Sequence, residues 1–183
     1  PPRTILGYIS RAKDAMKQGK RVAWTAPNGL RVVSEYSGFK KREIKSVAFK
    51  TRMRISEPTN KPDTKRTANA VAPNFIHSLD ASHLDFVLHE AKKQGIPVAA
   101  IHDDFGALAP HIVALHDIIR STFVMMYQDN TILKELQEST GFATDPPSPG
   151  TLDLSATMCS TYFFGADPRE GTHCYARGTS PKA

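Results

Sequence analysis

Apolar residues recur along this chain at two different periods, and each change of period marks an element. Ile5, Leu6, Ile9, Ala12 and Met16 form the stripe of a first helix, with Gly19 placed to end it. Two β-prone runs follow, Arg21 to Ala26 and Leu30 to Tyr36, separated by Pro27-Asn28-Gly29. Asn-Gly between such runs specifies a hairpin, because the turn needs a residue that tolerates positive φ. Glu57 to Lys65 (EPTNKPDTK) is expected to be a polar, proline-containing loop. The next helix is expected to begin near Ser78 or Asp80, either of which suits an N-cap, and to carry Leu84, Val87, Leu88 and Ala91 on one face. Gly95 and Pro97 stop it. Val98 to Ile101 reads as a short strand, His102-Asp103-Asp104 as its polar end, and Phe105 to Ala109 as the return strand. Beyond Pro110, a helix places Ile112, Leu115, Ile119, Phe123 and Met126 on one face, and a shorter one holds Ile132, Leu133 and Leu136. Gly141 to Gly150 is irregular and rich in proline, and no internal repeat is present. The fold class is α+β, a small antiparallel sheet with flanking helices.

Composition narrows the possibilities. With 40% of 183 residues hydrophobic, the chain can bury a core and is not a disordered polymer. A net charge of +6 suits a polyanionic partner, though many soluble proteins are as basic. Cys159 and Cys174 provide neither a disulfide framework nor metal-ligand spacing, and they fit a reducing compartment. No apolar run is long enough to span a bilayer. The chain opens Pro-Pro-Arg without an initiator Met and is expected to be a piece of a longer polypeptide.

Three stretches can carry chemistry. In VAAIHDDFGAL, Val98 to Leu108, two adjacent carboxylates stand at the end of a hairpin, where each raises the cost of charging the other. A divalent cation offsets that cost, and Mg²⁺ takes one or two carboxylates plus substrate phosphates. Neighbouring strand residues point to opposite faces, so Asp103 and Asp104 are not expected to reach one ion together. Gly106 would allow backbone or nucleic acid to come close. The plainer reading is an acidic turn that is merely well solvated. In APNFIHSLDASHL, Ala72 to Leu84, the residues His77, Asp80 and His83 lie three apart near one helix face. The alternative there is a helix N-terminus whose dipole favours Asp80. In KKREIKSVAFKTRMR, Lys40 to Arg54, seven residues are basic and Glu43 alone is acidic, with apolar residues interleaved. That pattern describes a solvated face, or a ribbon with one side for packing and one for phosphates or base edges.

In this order, the three stretches resemble the C-terminal part of single-subunit DNA-dependent RNA polymerases of the phage and mitochondrial type. APNFIHSLDASHL is similar to that family's segment where fingers meet palm, IHDDFG to its palm hairpin, and PNGLRVVSEY (Pro27 to Tyr36) to the segment leading into its promoter-specificity loop. The likeness runs from about Arg21 to Tyr127, with weaker support to Phe164. It implies the palm and fingers portion of a right-hand polymerase fold. Residues 1–76 would be a fingers-side segment containing the basic hairpin at about 37–65. Residues 77–140 would form a palm segment, and 141–165, with Tyr162-Phe163-Phe164-Gly165, a foot. Residues 166–183 have no counterpart and lack apolar periodicity, so they are expected to be a disordered tail.

The same resemblance implies an activity, template-directed RNA synthesis from ribonucleoside triphosphates by two-metal nucleotidyl transfer. Asp103 would bind Mg²⁺, with His102 and His77 as further catalytic residues and His77 lying against the minor groove of the hybrid. Arg42, Lys45, Arg52 and Arg54 would contact promoter DNA. Partners would be DNA template, RNA product, nucleoside triphosphates and the N-terminal part of the polymerase. That part carries the other palm aspartate and the fingers Lys and Tyr, so this chain alone is expected to be inactive. The compartment would be the cytoplasm of a phage-infected cell, or the mitochondrial matrix. Two other classes stay open: a metal-dependent phosphohydrolase using His77 with His102-Asp103, which requires a helix at His102, and a DNA-binding fragment without catalysis.

Overall fold

The chain divides into two compact units, and the helix α1, Thr64–Lys93, contributes residues to each. The computed structural model describes residues 7–9, 11, 16, 21–46, 51–101, 103–128, 131–141, 145–148 and 150–160. The first expected helix is helical at 7–9 and 16, with Tyr8 and Ile9 buried; Ile5, Leu6, Ala12 and Gly19 lie outside the described residues. The mixed α+β class holds. In place of one sheet there are three separate antiparallel pairs: β1 (Ala23–Thr25) with β2 (Arg31–Val33), β3 (Ser37–Ser46) with β4 (Thr51–Pro62), and β5 (Val98–Ile101) with β6 (Asp104–Ala107).

One unit comprises Pro1–Leu79 and Ile132–Ser148. Its β1–β2 turn is closed by the Gly29 N–H on the Ala26 carbonyl (2.8 Å), and Gly29 takes a φ of 86°. The Asn28 side chain accepts the Leu30 N–H, so Asn and Gly each have a defined task in the turn. The hairpin packs on α1 through Trp24. Its indole stands edge-on to Phe75 (5.6 Å) and donates to Ser78 Oγ (2.9 Å), which in turn donates to the Phe75 carbonyl. Asn74 donates to Ser34 Oγ and Tyr36 Oη on the strand leaving the hairpin. A third helix, Ile132–Thr140, buries Leu136 and packs against β1.

Two expectations fail here for one reason. The helix starts at Thr64 rather than near Ser78 or Asp80. Its cap is Asp63, whose carboxylate accepts the Arg66 N–H (2.9 Å) and whose carbonyl accepts the Thr67 N–H (2.9 Å). Pro73 reads as a breaker but sits inside the helix, and polar residues hide the buried stripe Thr67, Val71, Phe75 and Ser78. Glu57 to Pro62 is strand rather than loop, with Lys40 opposite Glu57 and Phe39 opposite Pro58. Each strand of a two-stranded ribbon has a free edge, and a proline whose nitrogen faces that edge forfeits no ladder bond.

The other unit comprises Asp80–Thr131 and Pro149–Ala183. Gly95, at φ 68°, ends α1 by donating to Lys92 O while Ile96 donates to Ala91 O, the paired bonds of a Schellman stop. Val87, Ala91, Ile96, Leu115 and Ile118 form the core, and Val98, Phe105 and Ala107 of the β5–β6 hairpin pack on it. Leu115 and Ile118 come from α2, Ile112–Tyr127. Its buried set is Leu115, His116, Ile118, Arg120 and Thr122, broader than the single face expected, and Ile112 is exposed. The reason is a second covering: the 3-10 turn Leu154–Cys159 packs on α2, and the buried Arg120 donates to the carbonyls of Thr157, Met158 and Ser160.

Ser78→Ala removes the acceptor for the buried indole N–H. Urea unfolding followed by fluorescence of Trp24, the one tryptophan in the sequence, should show a loss of about 1–3 kcal/mol. A change below about 0.5 kcal/mol would mean that the indole is not anchored there.

Candidate active site and nucleic-acid interface

The β5–β6 register decides where the acidic pair sits. Ile101 is opposite Asp104, so only residues 102 and 103 connect the strands. Asp103 therefore occupies the turn itself, and Asp104 is the first residue of the return strand. His102 lies outside the described residues. Val98, Ala100, Phe105 and Ala107 share the inner face, and Ala99, Ile101, Asp104 and Gly106 share the outer one. A Cβ on Gly106 would meet only Ala99, at 3.8 Å or more, so the hairpin itself does not require glycine there. Both carboxylates are exposed, and neither has a hydrogen bond or ion pair among the described residues. Ile101 and Asp104, on either side of His102, are paired strand residues, whereas the phosphohydrolase reading calls for helical surroundings.

An exposed carboxylate free of cationic partners is a suitable hard-oxygen ligand for Mg²⁺, which also takes phosphate oxygens. Among the described residues no three His, Cys, Asp or Glu side chains form a closed site.

The helical trio separates. His77 and Asp80 are exposed on α1, whereas His83 is buried in the core beside the hairpin. His83 Nε2 lies 2.9 Å from the Ile119 carbonyl and 3.2 Å from Thr122 Oγ1. Its ring stands edge-on to Phe105 of the hairpin (6.3 Å) and to Phe123 (5.6 Å). Burial pushes its pKa down, against smaller upward pulls from the Ile119 hydrogen bond and the Asp80 charge. Tyr127, stacked at a tilt on Phe123, is raised to about 12 by burial and then by Asp80. Neither Phe105 nor Tyr127 was singled out from sequence. Phe105 is a member of HDDFG, so its signal was available, while Tyr127 left none.

The basic ribbon β3–β4 begins and ends at one node. The Asp63 N–H donates to Tyr36 O (2.8 Å), the Tyr36 N–H donates to Thr67 Oγ1 (3.1 Å), and the Arg66 guanidinium lies over the Tyr36 ring at 4.9 Å. Cross-strand pairing then sorts the side chains. Lys41, Glu43, Lys45, Arg52 and Arg54 share one face, with Phe39 and Pro58 nearer the root. Lys40, Arg42, Ile44, Met53, Ile55 and Glu57 share the other. The first face carries four cations against one carboxylate, and Glu43 approaches Arg52 at 3.8 Å. On the second, Arg42 pairs with Glu57 (3.5 Å) beside exposed Ile44, Met53 and Ile55. Lys45, Arg52 and Arg54 thus stand together, and Arg42 stands on the opposite side. Lys50 lies outside the described residues.

Comparison with known proteins shows the family. Residues 8–144 match the DNA-dependent RNA polymerase family, and the chain belongs to it. It is 33% identical over 157 residues to the DNA-directed RNA polymerase of Pseudomonas phage phiKMV, covering 84% of this chain and 19% of that protein. Identity to the mitochondrial DNA-directed RNA polymerase 1 of Arabidopsis thaliana is 34% over 158 residues, covering 84% and 16%. For DNA-directed RNA polymerase 2A of Nicotiana tabacum the figures are 35% over 172 residues, 88% and 50%. The chain thus spans under a fifth of the length of the first two relatives and half of the third. No helix among the described residues is long and apolar enough to cross a membrane.

The lowered pKa of His83 has a pH consequence. Neutral His83 contributes stability that is present above its unfolded-state pKa of about 6.5 and is lost as pH falls through the lower folded value. Thermal unfolding from pH 7 to pH 5 should show a decline that His83→Gln reduces. Parallel pH profiles for the two proteins would show that the imidazole stays neutral at no cost.

Proposed function

We propose that this chain is the palm and specificity-loop portion of a single-subunit, DNA-directed RNA polymerase, and that Asp103 supplies one carboxylate to its Mg²⁺ site. The observation that carries the reading is the place of Asp103 in a two-residue turn on a core-packed hairpin, within a stretch that matches the polymerase family. A strand-borne turn holds a carboxylate with little freedom, as a metal-positioning group requires. The bound cation would activate the RNA 3′ hydroxyl and steady the leaving pyrophosphate. In the same reading Asp103 orients that ion, and Asp104, on the outer face, has a lesser part. His77, exposed on α1, is available to donate to the minor groove of an A-like hybrid, where the 2′ hydroxyl is displayed. The basic face of the β3–β4 ribbon suits the DNA major groove, which admits a two-stranded ribbon. DNA template, nucleoside triphosphates and the remainder of the polymerase are the partners, in an infected cell's cytoplasm or an organelle.

In a full-length polymerase carrying this segment, Asp103→Asn should abolish nucleotide addition while promoter binding stays nearly intact. Asp104→Asn should be far milder. Equal losses from both would overturn the assignment, and full activity in Asp103→Asn would leave DNA binding as the segment's role.

Alanine variants across the ribbon should divide by face. Removing a phosphate contact at Lys45, Arg52 or Arg54 should weaken binding to all sequences and lower the salt slope by about 1. At least one of these three should instead change the preferred promoter base, by about 1–3 kcal/mol. Arg42→Ala should leave base preference unchanged, since Arg42 faces Glu57 on the opposite side. A promoter-library binding assay in which Arg42→Ala alone alters preference would reverse the two faces.

A further inference from the structure

We infer that His83 and Phe105 form a brace that sets the position of the Asp103 turn, with His83 a positioning residue acting through the Phe105 ring. This rests on reading Asp103 as the metal-binding carboxylate.

Among the described residues the hairpin is held on one face. Val98, Phe105 and Ala107 pack on the core, whereas Ala99, Ala100, Ile101, Asp104 and Gly106 are exposed. Phe105 is therefore the packed residue nearest the turn, two positions from Asp103. Whatever fixes the Phe105 ring fixes the turn. The Phe105 and His83 rings stand T-shaped to one another, with centroids 6.3 Å apart and planes at 72°. His83 is itself oriented from two sides. Its Nε2–H donates to the Ile119 carbonyl on α2 (2.9 Å), and Phe123 stands against the ring at 5.6 Å and 82°.

The residue type follows from this geometry. An aliphatic side chain would fill the volume but would leave the Ile119 carbonyl without that donor and the ring without a fixed azimuth. Phenylalanine would supply the ring and lose the donor. Imidazole provides both in one plane. The hydroxyl of Thr122, 3.2 Å from the same nitrogen, donates to the Ile118 carbonyl at 2.7 Å and closes the polar side of the contact. α1, α2 and β6 thus meet at one aromatic ring, and the turn lies just beyond it.

The test uses full-length polymerase carrying this segment, with His83→Gln, Phe105→Leu, the double variant and Asp103→Asn. His83→Gln keeps an N–H donor without the ring, and Phe105→Leu keeps apolar volume without the ring edge. Single-nucleotide addition on a preassembled scaffold gives kcat and KM, and amide hydrogen exchange over residues 98–107 reports the hairpin directly. Each single variant should lower kcat about 10- to 100-fold with KM nearly unchanged. Each should speed exchange in residues 98–107 and leave residues 64–75 of α1 as they were. The double variant should be no worse than the worse single one. Losses that multiply, exchange that rises equally through α1 and α2, or a normal kcat would each overturn the brace. If Asp103→Asn abolishes addition while the brace variants keep it, the brace alone fails. If Asp103→Asn is itself active, the reading of the site fails.

Discussion

A two-stranded ribbon has no interior, and this constraint governs the structure. Isolated hairpins are marginal in water because neither face is covered and few residues share the cost of ordering. The described residues include three of them, and the two short ones are stabilised by contact with helices. β1–β2 packs on the first half of α1 through Trp24, and β5–β6 packs on its own unit's core through Val98, Phe105 and Ala107. The third, β3–β4, is tied among the described residues at its root, around Tyr36, Asp63 and Thr67. The proposed roles divide along the same line. A covered hairpin can hold a carboxylate in place, and an uncovered ribbon can present charge to a large, flexible polyanion.

Polar residues direct both kinds of attachment. Ser78 and Asn74 give the first hairpin its registry on α1, and His83 does the same for the last one on α2. Each is a side chain whose hydrogen bond specifies an angle, which apolar contact alone does not. Burying such groups is favourable only when their partners are present, so each also defines one arrangement against its competitors.

The sequence showed more of the site than of its supports. Asn28-Gly29 and the Gly95 stop announced themselves because positive φ restricts residue choice, and the alternating cations of the ribbon read directly as two faces. HDDFG located the turn. The start of α1 was hidden because Asp63 lies in a proline-containing run that resembles a loop, and because Pro73 looks like a terminator. His83 looked like a partner of His77 and Asp80 by spacing. Burial separates them, since residues three and six apart on a helix differ in azimuth by enough for one to face the core and another water. Arg42 was grouped with Lys45, Arg52 and Arg54 by charge, and only the cross-strand register separates it from them.

The ribbon's root has one further consequence. Pairing shifts by two residues between Ser37–Pro62 and Phe39–Pro58, and Gly38 sits at the shift with Lys61 O and Thr59 Oγ1 each 3.1 Å from where a Cβ would be. Thr59 Oγ1 donates to the Gly38 carbonyl there. A bulge bends its strand and adds right-handed twist. The ribbon therefore leaves its anchor already rotated, and every cation beyond inherits that rotation. Gly38 carries no charge, yet the shift in which it sits sets the compass bearing of the whole basic face.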